Sequence, residues 1–194
     1  MFLSVFDIFK IGIGPSSSHT VGPMLAGARF LEVLRRIERQ EIDRITVSLR
    51  GSLAFTGRGH GSDRAVVLGL LDSRPDKVDP DRIEDMVAEI KNGKTIASDG
   101  LPAIFFDPSE DLIFDYGPPL PGHANGMIFA AFNTGGEIIA EQTYYSIGGG
   151  FVVTADELVQ SRNEDNSEPT PPGCFPAAGR RHPPMRPLGS TLPT

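Results

Sequence analysis

One cysteine, Cys174, stands alone among 194 residues. That excludes an internal disulfide framework, and a single thiol cannot by itself hold a zinc ion or an iron–sulfur cluster. Basic residues are also short: 18 Lys and Arg against 25 Asp and Glu leave a formal net charge of -7, which offers nucleic acid no electrostatic footprint. No apolar run approaches the ~20 residues of a membrane span. The opening M-F-L-S-V-F-D has neither a basic region nor a small-residue cleavage site, so no signal peptide is expected. Hydrophobic residues make up a lean 39%, and the shortfall lies at the C-terminal end. These absences predict a soluble, cytoplasmic protein with one sizeable core.

What is present centres on residues 11–23, I-G-I-G-P-S-S-S-H-T-V-G-P. Ser and Thr favour helix N-caps because their oxygens accept from backbone N–H groups that have no intrahelical partner. The same free N–H groups and the positive end of the helix dipole attract anions. Ser16, Ser17, Ser18, His19 and Thr20 therefore read either as an ordinary cap beside a surface histidine or as a site for a small carboxylate or phosphate.

The periodic residues Met24, Ala28, Leu31, Leu34 and Ile37 predict a helix over 21–40. Alternation predicts a strand at 44–50. Residues 51–63, G-S-L-A-F-T-G-R-G-H-G-S-D, are dense in glycine and hydroxyls. They read as a ligand loop that contains Gly59 and His60 and matches neither a Walker loop nor a dinucleotide fingerprint. Helices are expected at 64–71, capped by Ser62 or Asp63, and at 82–91, begun by Asp79-Pro80 and ended at Asn92-Gly93. Strand-like segments follow at 95–97, 103–106 and 112–116. A third histidine-bearing loop, G-H-A-N-G at 122–126, leads to a strand at 127–132 and a hairpin over 135–146. Asp107, Glu110, Asp111 and Asp115 read as a solvated acidic face. From Ser161 onward proline dominates, and such a segment buries too little apolar surface to offset its ordering entropy, so it is expected to be disordered.

His19, His60 and His123 all fall in Gly/Ser-rich segments, where binding groups tend to be carried. No pair has the spacing of a helical zinc site, so no metal ligand is assigned. No G-x-S-x-G elbow supports a serine hydrolase. The residues by themselves point to a site for a small anionic or zwitterionic ligand.

Four stretches carry a resemblance to a known family: S-V-F-D-I-F-K-I-G-I-G-P-S-S-S-H-T-V-G-P (residues 4–23), L-R-G-S-L-A-F-T-G-R-G-H (49–60), H-A-N-G-M (123–127) and Y-Y-S-I-G-G-G-F (144–151). Together they make residues 1–156 similar to the N-terminal β domain of bacterial iron–sulfur L-serine dehydratases (L-serine ammonia-lyases). The third departs from the more usual H-P-N-G-M. The resemblance implies an α+β domain, a mixed sheet with helices packed on it, similar to the anion- and serine-binding domain of some phosphoglycerate dehydrogenases. It further implies a dimeric lyase of serine catabolism and gluconeogenesis that converts L-serine to pyruvate and ammonia.

In that family a [4Fe-4S] cluster held by a separate α domain serves as cofactor. Carried over by motif, His19 and His60 would be catalytic. Ser16, Ser17, Ser18, Thr20 and Gly59 would bind substrate or anion, and His123 and Asn125 would form a serine site of regulatory character. The expected partners are L-serine, an α domain or subunit, and a second copy of the chain. Residues 157–194 resemble no part of the α domain and look like the product of a frameshift or truncation, so the chain alone is expected to be inactive. A stand-alone module that binds serine or a small anion without catalysis is the alternative.

Overall fold

In a computed structural model that describes residues 14–37 and 42–167, the alternating segment R-I-T-V-S-L-R-G forms strand β1 (Arg44–Gly51). Ile45, Val47 and Leu49 are buried and the residues between them only partly so, because successive side chains of a strand point to opposite faces. β1 pairs antiparallel with β5 (Asn125–Phe132), β5 with β6 (Ile138–Gly148) and β6 with β7 (Phe151–Thr154). Along its other edge β1 takes two short parallel strands in succession, β3 (Ile104–Phe105) and β4 (Leu112–Asp115). β2 (Thr95–Ile96) closes that edge, antiparallel to β3. The result is the α+β class with a mixed sheet, as expected from the sequence.

Helix α1 (Gly22–Leu34) follows directly on a π-helical turn, Ser17–Val21. It lies over β5 and β6 and buries Met24, Phe30, Leu31 and Leu34. The Phe30 ring sits 5.4 Å from that of Phe129 on β5, which in turn meets Tyr144 on β6 edge-on at 5.7 Å. Such tilted aromatic pairs add about 1 kcal/mol each beyond the area they bury.

Helix α3 (Ser62–Leu70) packs on α1 at very close range. A Cβ on Gly69 would lie 2.2 Å from the Met24 carbonyl oxygen, so the contact is one that only glycine permits. Helix α4 (Ile83–Gly93) is amphipathic and starts after a single 3-10 turn, where Asp79 accepts from the Asp81 N–H at 3.1 Å. It ends at Gly93, with Lys94 in the left-handed region, in line with the predicted stop.

Several readings of the sequence need revision. Residues 51–63 are not a loop: Ser52–His60 form helix α2. Glycine costs a helix interior about 1 kcal/mol, but Leu53, Ala54 and Gly57 are buried in the packing of α2 against β1 and β5, and that packing prevails. Gly61, at φ +70°, breaks the chain into α3, and no side chain caps α3; Ser62 and Asp63 do not perform the predicted role.

The acidic stretch is a solvated face only in part: Glu110 is exposed, but two of its carboxylates are not. Asp111 is 0% and Asp107 3% exposed. Asp111 accepts from Arg44 Nε at 2.7 Å, and Asp107 pairs with Lys94 Nζ at 2.6 Å. Buried carboxylates persist only when paired in this way.

Finally, Ala155–Ser167 form helix α5, which continues through residues 161–167, where disorder was expected. Thr154 and Glu157 build its capping box: Glu157 N–H donates to Thr154 Oγ1 at 3.1 Å, and Thr154 N–H donates to Glu157 Oε2 at 2.7 Å. The T-x-x-E signal was present in the sequence. Helix α1 itself stops at Leu34, with residues 35–37 in a turn, short of the expected end at 40. The expected short element at 4–9, residues 38–40 and the rest of the tail, with Cys174 and His182, lie outside the described residues.

Candidate functional site

His19 projects from the π-helical turn, and His60 is the last residue of α2. Forty-one positions apart in sequence, their rings meet with centroids 4.9 Å apart. Two reciprocal bonds clamp the elements that carry them. Thr20 Oγ1 donates to the His60 carbonyl at 3.0 Å, and Ser62 Oγ donates to the His19 carbonyl at 2.5 Å. Each hydroxyl belongs to the residue next to, or two beyond, one histidine and reaches the backbone of the other.

Hydroxyls surround the His19 ring. Ser18 Oγ lies 3.0 Å and Ser16 Oγ 3.5 Å from Nδ1, while Thr56 Oγ1 lies 2.9 Å and Ser52 Oγ 3.2 Å from Nε2. The Thr56 hydroxyl hydrogen is committed, since it donates to the Ser52 carbonyl at 2.8 Å. Thr56 Oγ1 can therefore offer His19 only a lone pair. In that arrangement Nε2 carries the proton, and Nδ1 accepts from Ser18. Partial burial, and then the nearby His60 charge, push the His19 pKa below its ordinary 6.5, with a Ser52 hydrogen bond acting the other way. The ring is thus held neutral at physiological pH.

His60 is oriented by the same residue. Its Nδ1 lies 2.9 Å from the Thr56 carbonyl, which only accepts, so Nδ1 is protonated and Nε2 carries the free lone pair. Thr56 and Ser52 were not singled out in the sequence. Their signal is legible only once 52–60 is known to be a helix, because positions 52, 56 and 60 then fall on one face.

The other predicted residues divide into two groups. Ser16 and Ser18 join the cluster, and Ser17 sits beside it, exposed. Ser16 occupies the N-cap position without capping; its hydroxyl turns instead to Ser18 and His19. Gly59 is exposed, with nothing within 4 Å of where a Cβ would stand.

His123 and Asn125 stand at the neighbouring β5 entry, where Ser52 N–H donates to the Ala124 carbonyl at 2.8 Å. His123 Nδ1 accepts from the Asn125 N–H at 3.1 Å, and Asn125 Nδ2 donates to the Ser146 carbonyl at 3.1 Å. Ser146 Oγ, fully buried nearby, has no hydrogen-bond partner among the described residues.

Residues 4–157 match the family described as serine dehydratase beta chain. The chain belongs to that family. "L-serine dehydratase" of Helicobacter pylori (strain ATCC 700392 / 26695) is 46% identical over 165 residues, covering 85% of this chain and 36% of the relative. "L-serine dehydratase" of Streptomyces coelicolor is 45% identical over 163 residues, covering 84% of this chain and 36% of the relative. "L-serine dehydratase 2" of Escherichia coli K12 is 40% identical over 171 residues, covering 87% and 37%.

The chain therefore spans little more than a third of the length of those relatives. Its described residues contain no group of three or more His, Cys, Asp or Glu side chains placed to hold a metal ion. They do not fit an iron–sulfur cluster, which takes about four thiolates. None of its described helices is long and apolar enough to cross a membrane.

Proposed function

We propose that this chain is the β-domain portion of an L-serine ammonia-lyase, active only with a further domain of the kind that makes up the rest of the longer relatives. The observation that carries the reading is the His19–His60 pair, assembled from two of the resembling motifs into one hydroxyl-lined cluster. The family's [4Fe-4S] cluster is assigned outside these residues, and no step is derived through it.

In this reading the hydroxyls of Ser16, Ser17 and Ser18, beside an uncapped helix start, take the serine carboxylate. His60 Nε2, its lone pair fixed outward by Thr56, accepts the α-proton. His19 stays neutral and donates from Nε2, so it adds no positive charge against its neighbour. Loss of the α-proton and the β-hydroxyl as water leaves 2-aminoacrylate, whose imine tautomer hydrolyses to pyruvate and ammonia. His123 and Asn125 form a second, regulatory serine site. A cytoplasmic homodimer is carried over with the family.

The test is a serine-to-pyruvate assay after anaerobic cluster reconstitution, on the chain alone and on the chain co-expressed with the C-terminal two-thirds of a relative. Pyruvate only with the partner, abolished by His60→Gln, is the expected result. Pyruvate from the chain alone refutes the need for a partner. Absence of activity with the partner, while serine still binds the lone chain, favours the non-catalytic binding module.

A further inference from the structure

On the side of α2 away from the histidines, a cavity of about 340 Å³ opens between α2, α3, α4 and the turn that precedes β4. Arg58 lies two residues from both Thr56 and His60, which turns it about 160° around the helix from each. The cavity is thus a separate place from the cluster described above. Its floor is apolar, formed by the buried Val67, Val87 and Leu112. Its rim is cationic, with Arg58, Arg64 and Lys91 against the single carboxylate of Asp63.

The state of those cations is the informative point. Most arginines of the described chain are paired with a carboxylate, and Arg64 itself binds Glu84. Arg58 and Lys91 have no ion-pair partner among the described residues. Both therefore converge, unpaired, on one cavity whose lining holds a single carboxylate. Arg58 is also held in place: its guanidinium lies over the Phe114 ring at 4.6 Å, which orients it and leaves its N–H fork free. An apolar floor with a few convergent charged groups is the usual form of a small-molecule site, and this volume falls within the usual range.

We propose that this cavity binds a small organic anion, its carboxylate or phosphate held by Arg58 and Lys91 and its compact apolar part resting on Val67, Val87 and Leu112. The site stands apart from the serine reading and does not depend on it. A fork-shaped guanidinium matches either head group, so the two are separated by experiment.

The test is amide NMR titration of the full chain at low ionic strength with isobutyrate, inorganic phosphate and, as a cationic control, methylammonium. Saturable shifts at residues 58, 63–67, 91 and 109–114 with either anion are expected, and the tighter anion identifies the head group. Arg58→Gln and Lys91→Gln, both at exposed positions, should each weaken the binding by about tenfold while leaving the spectrum folded. Shifts that do not saturate, that appear equally with methylammonium, or that persist unweakened in both variants overturn the site. Shifts confined to His19 and His60 overturn it too, and would leave the serine reading standing.

Discussion

The Thr56 carbonyl accepts from His60 Nδ1 at 2.9 Å, while the Thr56 hydroxyl, one side chain away, faces His19 Nε2 at 2.9 Å. One residue on α2 therefore sets the tautomers of two histidines that come from different parts of the chain. The backbone carbonyl survives any substitution; the hydroxyl does not.

That asymmetry separates two variants. Thr56→Val should shift His19 toward the other tautomer and leave His60 unchanged, whereas Thr56→Ser should preserve both. The imidazole nitrogen chemical shifts report each ring directly. Stability should fall by about 1 kcal/mol in the valine variant, the usual value of one hydrogen bond. Identical histidine shifts in all three proteins would contradict the tautomer assignment.

The lowered pKa of His19 has a consequence for stability. Its folded value lies below the 6.5 of the unfolded chain, so the folded state binds fewer protons in that interval. The contribution is present above 6.5 and is lost as pH falls through the folded value. Urea unfolding measured from pH 7.5 downward should show midpoints declining below 6.5. His19→Gln, which cannot titrate, should flatten that limb.

Asp107 acts in a lower window. The Lys94 ammonium, followed by the hydroxyl and N–H of Ser109, holds its carboxyl down to about 2 from an ordinary 3.8. Its contribution is present above 3.8 and disappears as pH falls toward 2. Asp107→Asn should weaken the fold at neutral pH and remove part of the acid-limb slope seen in circular dichroism.

Two glycines should respond in opposite directions. Gly69→Ala drives a methyl group into the Met24 carbonyl and must part α1 from α3, costing about 3 kcal/mol. Gly59→Ala meets nothing within 4 Å and gains helix propensity on α2, about 0.5–1 kcal/mol. Thermal unfolding of the pair checks both signs. If substrate approaches the backbone at Gly59, the alanine variant will be more stable and less active.

Much of the framework was readable from residue order. Alternation placed β1, periodicity placed α1, and Asp79-Pro80 with Gly93 marked α4, because those signals depend on neighbours three or four residues apart. The sequence also named His19, His60, Ser16 and Ser18 individually. It did not show that 52–60 is a helix, since its glycines argue against one until the burial of Leu53 and Ala54 is counted. Nor did it show that Asp107 and Asp111 are buried, because Arg44 and Lys94 reach them only through the register of the β1 edge.

What residue order determined, then, was local: which segments extend, which coil, and which side chains have chemistry to offer. What only the tertiary structure decided was their meeting. The 4.9 Å between His19 and His60, and the cavity on the opposite side of α2, follow from α2 packing on the sheet. Burial of apolar area there outweighs the local preference of a glycine-rich segment, and that non-local energy is not visible in any short window of sequence.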